Sequence, residues 1–248
     1  MVALLLAWNP PRRVGTDYPA GFRRDAPFAR HSRHMWTRSL ASIAGAIAAL
    51  GAVGVYLRIV RPLQLRWGAT DDEVARSLPG DDAVLQPTFN ATRAVTISAR
   101  PEQIWPWLIQ IGAGRAGWYS YDLLDNLGQP SAERIIPEFQ HLAVGDLIPI
   151  SPDGKAGQRV KAFEPNRWML WGDEAGDSTW YWGLDPLDER HTRLITRVRM
   201  HYRWTSPLLL FNPLVEFTDI VMMRKCLLCI KRRAEGAVEG HSSPGRVG

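Results

Sequence analysis

Cysteine and lysine are scarce in this chain of 248 amino acids, which contains two cysteines and four lysines. Cys226 and Cys229 cannot form a disulfide framework. They also lie in a helical stretch rather than in the strand-loop-helix setting of a redox motif, so we expect two buried thiols. G-x-S-x-G and H-E-x-x-H are both absent, and the six histidines are scattered. The sequence therefore predicts no nucleophile elbow and no metal site.

Basic residues are concentrated near the N-terminus. Residues 1–66 carry ten arginines against Asp17 and Asp25, a net charge of +8, which leaves −3 of the overall +5 for the rest of the chain. Nucleic-acid binding depends on clustered Lys and Arg that neutralise phosphates. The body of the protein has no such cluster, so we expect no nucleic-acid partner.

Composition divides the chain into five parts, beginning with a basic tail that has no apolar periodicity. The predicted parts are a disordered tail (1–38), a transmembrane helix (39–60), a linker with one short helix (61–91), the main domain (92–235) and a second disordered tail (236–248). In the linker, Thr70 is predicted to cap a helix whose first turn holds Asp71, Asp72 and Glu73.

The segment SLASIAGAIAALGAVGVYL, residues 39–57, contains 19 residues without a charge. As a helix it would span about 28 Å, close to the roughly 30 Å of a bilayer's hydrocarbon core. It predicts a single-pass membrane protein. A signal peptide cleaved near residues 52–54 is an alternative. Flanking arginines place the soluble domain outside the cytoplasm if the chain starts at Met1 and reverse that if it starts at Met35, so the side stays open.

Beyond the linker, the pattern is a strand, two short helices, several strands and a long helix. RAVTISA, residues 93–99, alternates as a strand does, and a helix is expected to begin at Pro101. A second short helix is expected over residues 121–127. The last helix should run from Phe211 to about Ala234.

The final predicted strand, TRLITRVRMHYRW, alternates between two kinds of residue. One face carries apolar side chains and the other carries Arg193, Arg197 and Arg199. This pattern predicts one buried face and one solvated row of arginines.

Gly112, Gly114 and Gly117 have the G-x-G-x-x-G spacing of dinucleotide-binding loops. Such a loop follows a strand, opens a helix and belongs to a βαβ unit. Here an apolar helical pattern leads into the glycines, and antiparallel-looking strands follow. We therefore expect a hinge between two helices, with no nucleotide and no other cofactor.

The stretch VTISARPEQIWPWLIQIGAGRAGWYSYDLLDNL, continued by RIIPEFQHLAVGD, resembles bacterial members of the START-like superfamily, also called SRPBCC or polyketide cyclase/dehydrase-like proteins. The resemblance covers about residues 92–234. It implies an α+β helix-grip fold, in which a curved antiparallel sheet wraps around a long C-terminal helix. It also implies an apolar cavity between the two, used for lipids, sterols, polyketides or hormones and only in some members for catalysis. No shared catalytic set can be carried over.

The chain contains 11 tryptophans, more than packing alone usually requires. We expect the partner to be a hydrophobic small molecule or lipid, held in an aromatic-lined cavity. The predicted ligand-binding residues are Trp105, Trp118, Tyr119, Tyr121, Asp122, Glu138, Trp171, Trp180, Trp182 and Tyr202.

Two other functions remain open. In a cyclase, dehydratase or hydrolase, Asp122 or Glu138 would serve as general acid or base. In a structural interaction domain, the same interior would be filled by side chains and would bind nothing.

Overall fold

The structure of the protein is a computed structural model that describes residues 32–151, 154, 156–201 and 212–242. It divides into two compact units, Val2–Pro62 and Leu63–Gly248. Tyr202, one of the predicted ligand-binding residues, lies outside the described residues.

The N-terminal unit is helical where it is described. Helix α1 (Ser32–Val55) continues through a π-helical turn (Tyr56–Val60) into α2 (Arg61–Leu65). The helix begins seven residues before the predicted start at Ser39, because no Pro or Gly interrupts that stretch. The 22-residue segment Ala44–Leu65 is long and apolar enough to cross a membrane, a criterion that signal sequences also meet.

The second unit is built on a six-stranded sheet in the order β1-β6-β5-β4-β3-β2, and each neighbouring pair is antiparallel. A register shift between Val160 and Ala162 bends β3. The strands are β1 (Phe89–Ile97), β2 (Leu147–Pro149), β3 (Gly157–Glu164), β4 (Trp168–Gly172), β5 (Ser178–Pro186) and β6 (Thr192–Met200).

Helices cover one face of this sheet, which we call the inner face. Helix α3 (Asp71–Ala75) precedes β1, whereas α4 (Pro101–Ile109), α5 (Asp122–Asp125) and a 3₁₀ turn (Pro137–Phe139) lie between β1 and β2. The long helix α6 (Asn212–Ser242) contributes Leu227, Ile230 and Ala234 to the main hydrophobic core. The predicted helix-grip α+β fold is confirmed.

Helix α6 is longer than predicted. It continues past Ala234 to Ser242, so residues 236–242 of the predicted disordered tail are helical. One cause is local: the Glu235 carboxylate accepts hydrogen bonds from the Lys231 ammonium (2.8 Å) and from the Ser98 backbone N–H (2.7 Å). These contacts attach the helix to the chain that follows β1.

On the opposite face of the sheet, which we call the outer face, the structure differs from a prediction. The pattern predicts that Arg193, Arg197 and Arg199 are solvated, but they are largely buried, with Arg197 only 3% exposed. The cover is the predicted linker, whose residues 66–86 we call the strap. The strap contains α3 with the predicted Thr70 cap, and in return the Thr70 backbone N–H donates to the Glu73 carboxylate.

The strap is attached by ion pairs and by apolar packing. Glu73 binds Arg193, and Asp81 binds Arg197 at 2.6 Å. A second hydrophobic cluster lies between strap and sheet, formed by Leu78, Ala94, Tyr181 and Ile195. Strand alternation identifies residues that share a face, but it does not reveal what covers that face, so the prediction of a solvated row of arginines is wrong.

Candidate functional site

The glycine loop positions the first site residues. Gly112 and Gly117 exchange backbone hydrogen bonds of 3.2 and 3.1 Å, closing a tight turn directly after α4. Gly117 has φ +80°, and a Cβ there would lie 2.5 Å from the Ser131 hydroxyl oxygen. The turn thus requires glycine at this position for both conformation and space. A helix precedes this loop, unlike the strand that precedes a dinucleotide-binding turn.

After the turn, Trp118 points to the sheet and belongs to an aromatic cluster. Its ring stacks on that of Trp180, with centroids 5.5 Å apart and an interplanar angle of 7°. Trp180 in turn lies 5.3 Å from Trp182 and 5.4 Å from Trp171. The structure therefore brings four of the predicted residues together between β4, β5 and the glycine loop. We call Trp118, Trp171, Trp180 and Trp182 the tryptophan cluster.

The tryptophan cluster contains hydrogen-bond donors that have no acceptor. Trp180 Nε1 donates to Thr196 Oγ1 at 2.7 Å. The indole N–H groups of Trp171 and Trp182 are buried, and neither has an acceptor among the described residues. A buried polar group without a partner costs about 1–3 kcal/mol. The inner face thus holds two donors available to an acceptor that the chain itself does not provide.

Tyr119 faces α6 and α4 rather than the sheet. Its backbone has φ +55°, which is uncommon for a residue other than glycine. The hydroxyl accepts a 2.6 Å bond from Gln110 Nε2, and the Arg233 guanidinium lies 4.6 Å from the ring centroid. Burial raises the pKa of the Tyr119 phenol, so the phenol stays protonated at neutral pH.

The predicted carboxylates occupy different environments. Asp122 Oδ1 accepts from both the backbone N–H (3.1 Å) and the hydroxyl (2.5 Å) of Ser131, which is a structural role. Glu138 is exposed and lines an open groove of about 800 Å³ formed by residues 132–138. The groove and the tryptophan cluster share no residue.

Asp125, three residues after Asp122, is the buried carboxylate of this region. It is 7% exposed, and neither of its oxygens makes a well-aligned hydrogen bond among the described residues. Burial raises its pKa, an effect opposed by the nearby Ser120 hydroxyl and reinforced by Asp122. A carboxyl group in such a place favours the protonated form.

Two further predicted residues lie apart from the tryptophan cluster. Trp105 is buried in α4, with its ring 6.4 Å from that of Phe163. Tyr121 is 39% exposed, and the Lys225 ammonium lies 3.8 Å from its ring centroid. Tyr121 is therefore a surface contact between α5 and α6.

Sequence reasoning did not single out Gln110 or Arg233. Gln110 is fully buried and joins Tyr119 to the backbone of Arg134 and Ile136. A signal existed, because Gln110 is a polar residue inside the apolar run of α4. Arg233 resembled an ordinary basic residue at a helix C-terminus, and only the fold places it over an aromatic ring.

Known proteins similar to this chain include several solved structures. No family model matches the chain, and no curated protein matches it. A Polyketide_cyc-like protein from Corynebacterium glutamicum is 19% identical, with a TM-score of 0.41, over 63% of this chain and 97% of that protein. The Zhui aromatase/cyclase from Streptomyces is 14% identical, with a TM-score of 0.39, over 62% of this chain and 98% of that enzyme.

A Mesorhizobium loti protein is 22% identical, with a TM-score of 0.32, over 57% of this chain and 97% of that protein. Because these three TM-scores all lie below 0.5, the helix-grip assignment rests on the strand order and on α6.

Proposed function

We propose that this protein is a membrane-anchored binding protein for a hydrophobic small molecule held between the inner face of the sheet and α6. The observation that carries the proposal is the pair of buried indole N–H groups, on Trp171 and Trp182, that lack acceptors among the described residues. Natural interiors rarely leave such donors unpaired without a functional reason. A ligand oxygen, such as a carbonyl, hydroxyl or ether, would pair with them.

Access to these donors would depend on the glycine loop. Trp118 is the member of the tryptophan cluster that does not belong to a strand, and it directly follows Gly117. Its ring stacks on Trp180 through apolar contact. A flat apolar ligand could take the place of the Trp118 ring on Trp180 at little cost, because stacking of one ring would replace stacking of another.

The enzyme alternative is supported less well. Both Asp122 bonds go to Ser131, and Glu138 lies on the exposed groove, which shares no residue with the tryptophan cluster. Burial raises the pKa of Asp125, but its oxygens are enclosed by protein and out of reach of a substrate. Binding without chemistry is the simpler function for this interior.

The test begins with the full-length protein purified from its membrane fraction. Organic extraction followed by mass spectrometry should recover an apolar, oxygen-containing molecule in about equimolar amount. Quenching of tryptophan fluorescence should then report rebinding of that molecule. Trp180→Ala should weaken rebinding about tenfold or more, since it removes the ring on which the ligand would stack.

Trp168→Ala is the matched control, because Trp168 stacks on Tyr181 on the outer face, away from the proposed site. It should leave affinity unchanged. If nothing co-purifies, and a panel of fatty acids, sterols and flat aromatic ketones fails to quench the fluorescence, the proposal is wrong.

A further inference from the structure

Helix α5 exposes apolar side chains to solvent and turns its carboxylates inward, the reverse of what is usual at a protein surface. Its carboxylates face inward, with Asp122 bound to Ser131 and Asp125 buried. Leu123 and Leu124 between them are 80% and 58% exposed. A single turn on a protein surface is normally amphipathic in the opposite sense.

Leu127, just after α5, adds a second observation. Its backbone has φ +51°, in the left-handed region that disfavours leucine, and its side chain is 71% exposed. A strained residue persists when something else compensates for it. The turn is held by the Gly128 backbone N–H, which donates to the Asp122 carbonyl oxygen at 2.7 Å. These backbone bonds do not require leucine, so its exposed side chain adds apolar surface next to Leu123 and Leu124.

The neighbouring face of α6 has the same character. Lys225 over the Tyr121 ring and the Ser120 hydroxyl on the Met222 carbonyl join α5 to α6. The outward-facing apolar residues of α6 recur at helical spacing on one side. Together with the three leucines they form what we call the leucine patch: Leu123, Leu124, Leu127, Leu214, Phe217, Val221 and Leu228.

The unpaired exposed charges of α6 beside the leucine patch are cations. Among the described residues of α6 before Lys231, Glu216 is buried, and Asp219, which is 30% exposed, pairs with the buried Arg93. Arg224 and Arg232 are exposed and Lys225 lies at the patch. Exposed apolar side chains bordered by cations fit a surface of anionic lipid.

We propose that the leucine patch lies on the surface of an anionic bilayer, with its leucines at the level of the headgroups and its cations on lipid phosphates. The same chain carries the apolar segment Ala44–Leu65, long enough to enter that bilayer. A second copy fits less well, because a two-fold contact would set the patch cations of both copies against each other. This function needs no ligand in the interior.

The experiment uses the full chain with a fluorophore on the patch. Leu123→Cys in a Cys229→Ser background is labelled with an NBD maleimide, since the remaining Cys226 is buried. The protein is reconstituted into vesicles of phosphatidylcholine, with or without phosphatidylglycerol, containing doxyl-labelled lipid. We expect a blue shift and loss of most NBD emission in the anionic vesicles.

Leu187→Cys, labelled in the same way, is the control, because Leu187 is an exposed leucine (60%) in the turn between β5 and β6. Its emission should stay unshifted and unquenched. Lys225→Gln combined with Arg232→Gln should reduce quenching at position 123.

Three results would overturn the proposal. Equal emission at positions 123 and 187 would show that the patch stays in water. A blue shift without doxyl quenching would show contact with protein, including a second copy. Failure of the labelled protein to float with the anionic vesicles would exclude membrane contact altogether. Since none of these readouts depends on the extracted molecule, they are independent of the test of ligand binding.

Discussion

The two faces of the sheet differ in how the hydrogen-bonding groups of their buried side chains are paired. On the outer face, Arg197 directs its donors to Thr92 Oγ1, Asp81 Oδ2 and three strap carbonyls, at 2.6–3.0 Å. On the inner face, Trp171 and Trp182 keep N–H groups without acceptors among the described residues. The polar groups of the outer face already have partners within the protein. The unpaired donors of the inner face can still bind an acceptor atom of a ligand.

Removing the ion pair and hydrogen bonds of Arg197 on the outer face should have the largest effect on stability. Arg197→Met leaves Asp81 and the carbonyls of Glu73, Val74 and Arg76 without this partner, so the free energy of unfolding should fall by about 3–5 kcal/mol. Urea unfolding followed by tryptophan fluorescence measures it. Arg159→Met, which removes an exposed pair with Glu174, should cost less than about 1 kcal/mol. Equal losses would refute the description of the strap as a buried ionic layer.

The second-largest effect on stability is expected from the glycine turn that places Trp118 on the inner face. Gly117→Ala places a Cβ 2.5 Å from Ser131 Oγ and 3.0 Å from its Cα at φ +80°, and we expect a loss of about 2–3 kcal/mol. Gly114→Ala has a similar φ of +71° but open space around the new atom, so about 1 kcal/mol is expected. The two unfolding midpoints in urea measure the difference, and coincident midpoints would contradict the close approach to Ser131.

Asp125, buried next to α6, should make the free energy of unfolding depend on pH. Because burial raises its pKa above the ordinary 3.8, the folded state holds the proton more tightly than the unfolded state. Its contribution is therefore most favourable below pH 3.8 and is lost as pH rises through the raised value. Asp125→Asn cannot ionise, so its stability relative to the native chain should increase over that range.

Asp188→Asn is the control with the opposite sign. Hydrogen bonds from the Arg190 backbone N–H and from His191 lower the pKa of Asp188. Its contribution is present above the ordinary 3.8 and is lost as pH falls through the lowered value, so the Asn variant should lose that contribution at neutral pH. Unfolding curves at a series of pH values test both variants, and parallel pH profiles would show that Asp125 is not buried as described.

The smallest effect is expected from Trp182→Phe, although Trp182 is fully buried. The lost volume costs about 1 kcal/mol, and removal of an unpaired donor offsets much of that cost. Trp180→Phe should cost more, since it breaks the 2.7 Å bond to Thr196. Thermal midpoints of the two variants compare them. If Trp182→Phe proved the more damaging, its N–H would have a partner after all.

Much of the architecture could be predicted from local pattern. Pro101 at a helix start and the Thr70 cap were placed correctly, because capping and φ restriction act within a few residues. The run of strands and the final helix followed from apolar periodicity. Two predicted helix ends were wrong: α1 begins at Ser32 rather than at Ser39, and α6 continues to Ser242 rather than ending near Ala234.

The site was predictable only in part. Four of the predicted aromatic residues form one cluster, Trp118, Trp171, Trp180 and Trp182. Strand alternation predicts only that Trp180 and Trp182 share a face. The buried acid is Asp125 rather than Asp122 or Glu138. A four-residue helix has no periodic signal strong enough to show which of two carboxylates turns inward.

The sequence by itself determined which elements form and which residues share a strand face, since helix caps, turns and alternation are short-range effects. Tertiary structure decided what covers each face. The strap neutralises arginines that lie more than a hundred residues further along the chain, and the glycine turn brings Trp118 onto β5. Burial and pairing are long-range properties, so the same alternating strand can have a solvated face or, as here, a closed ionic one.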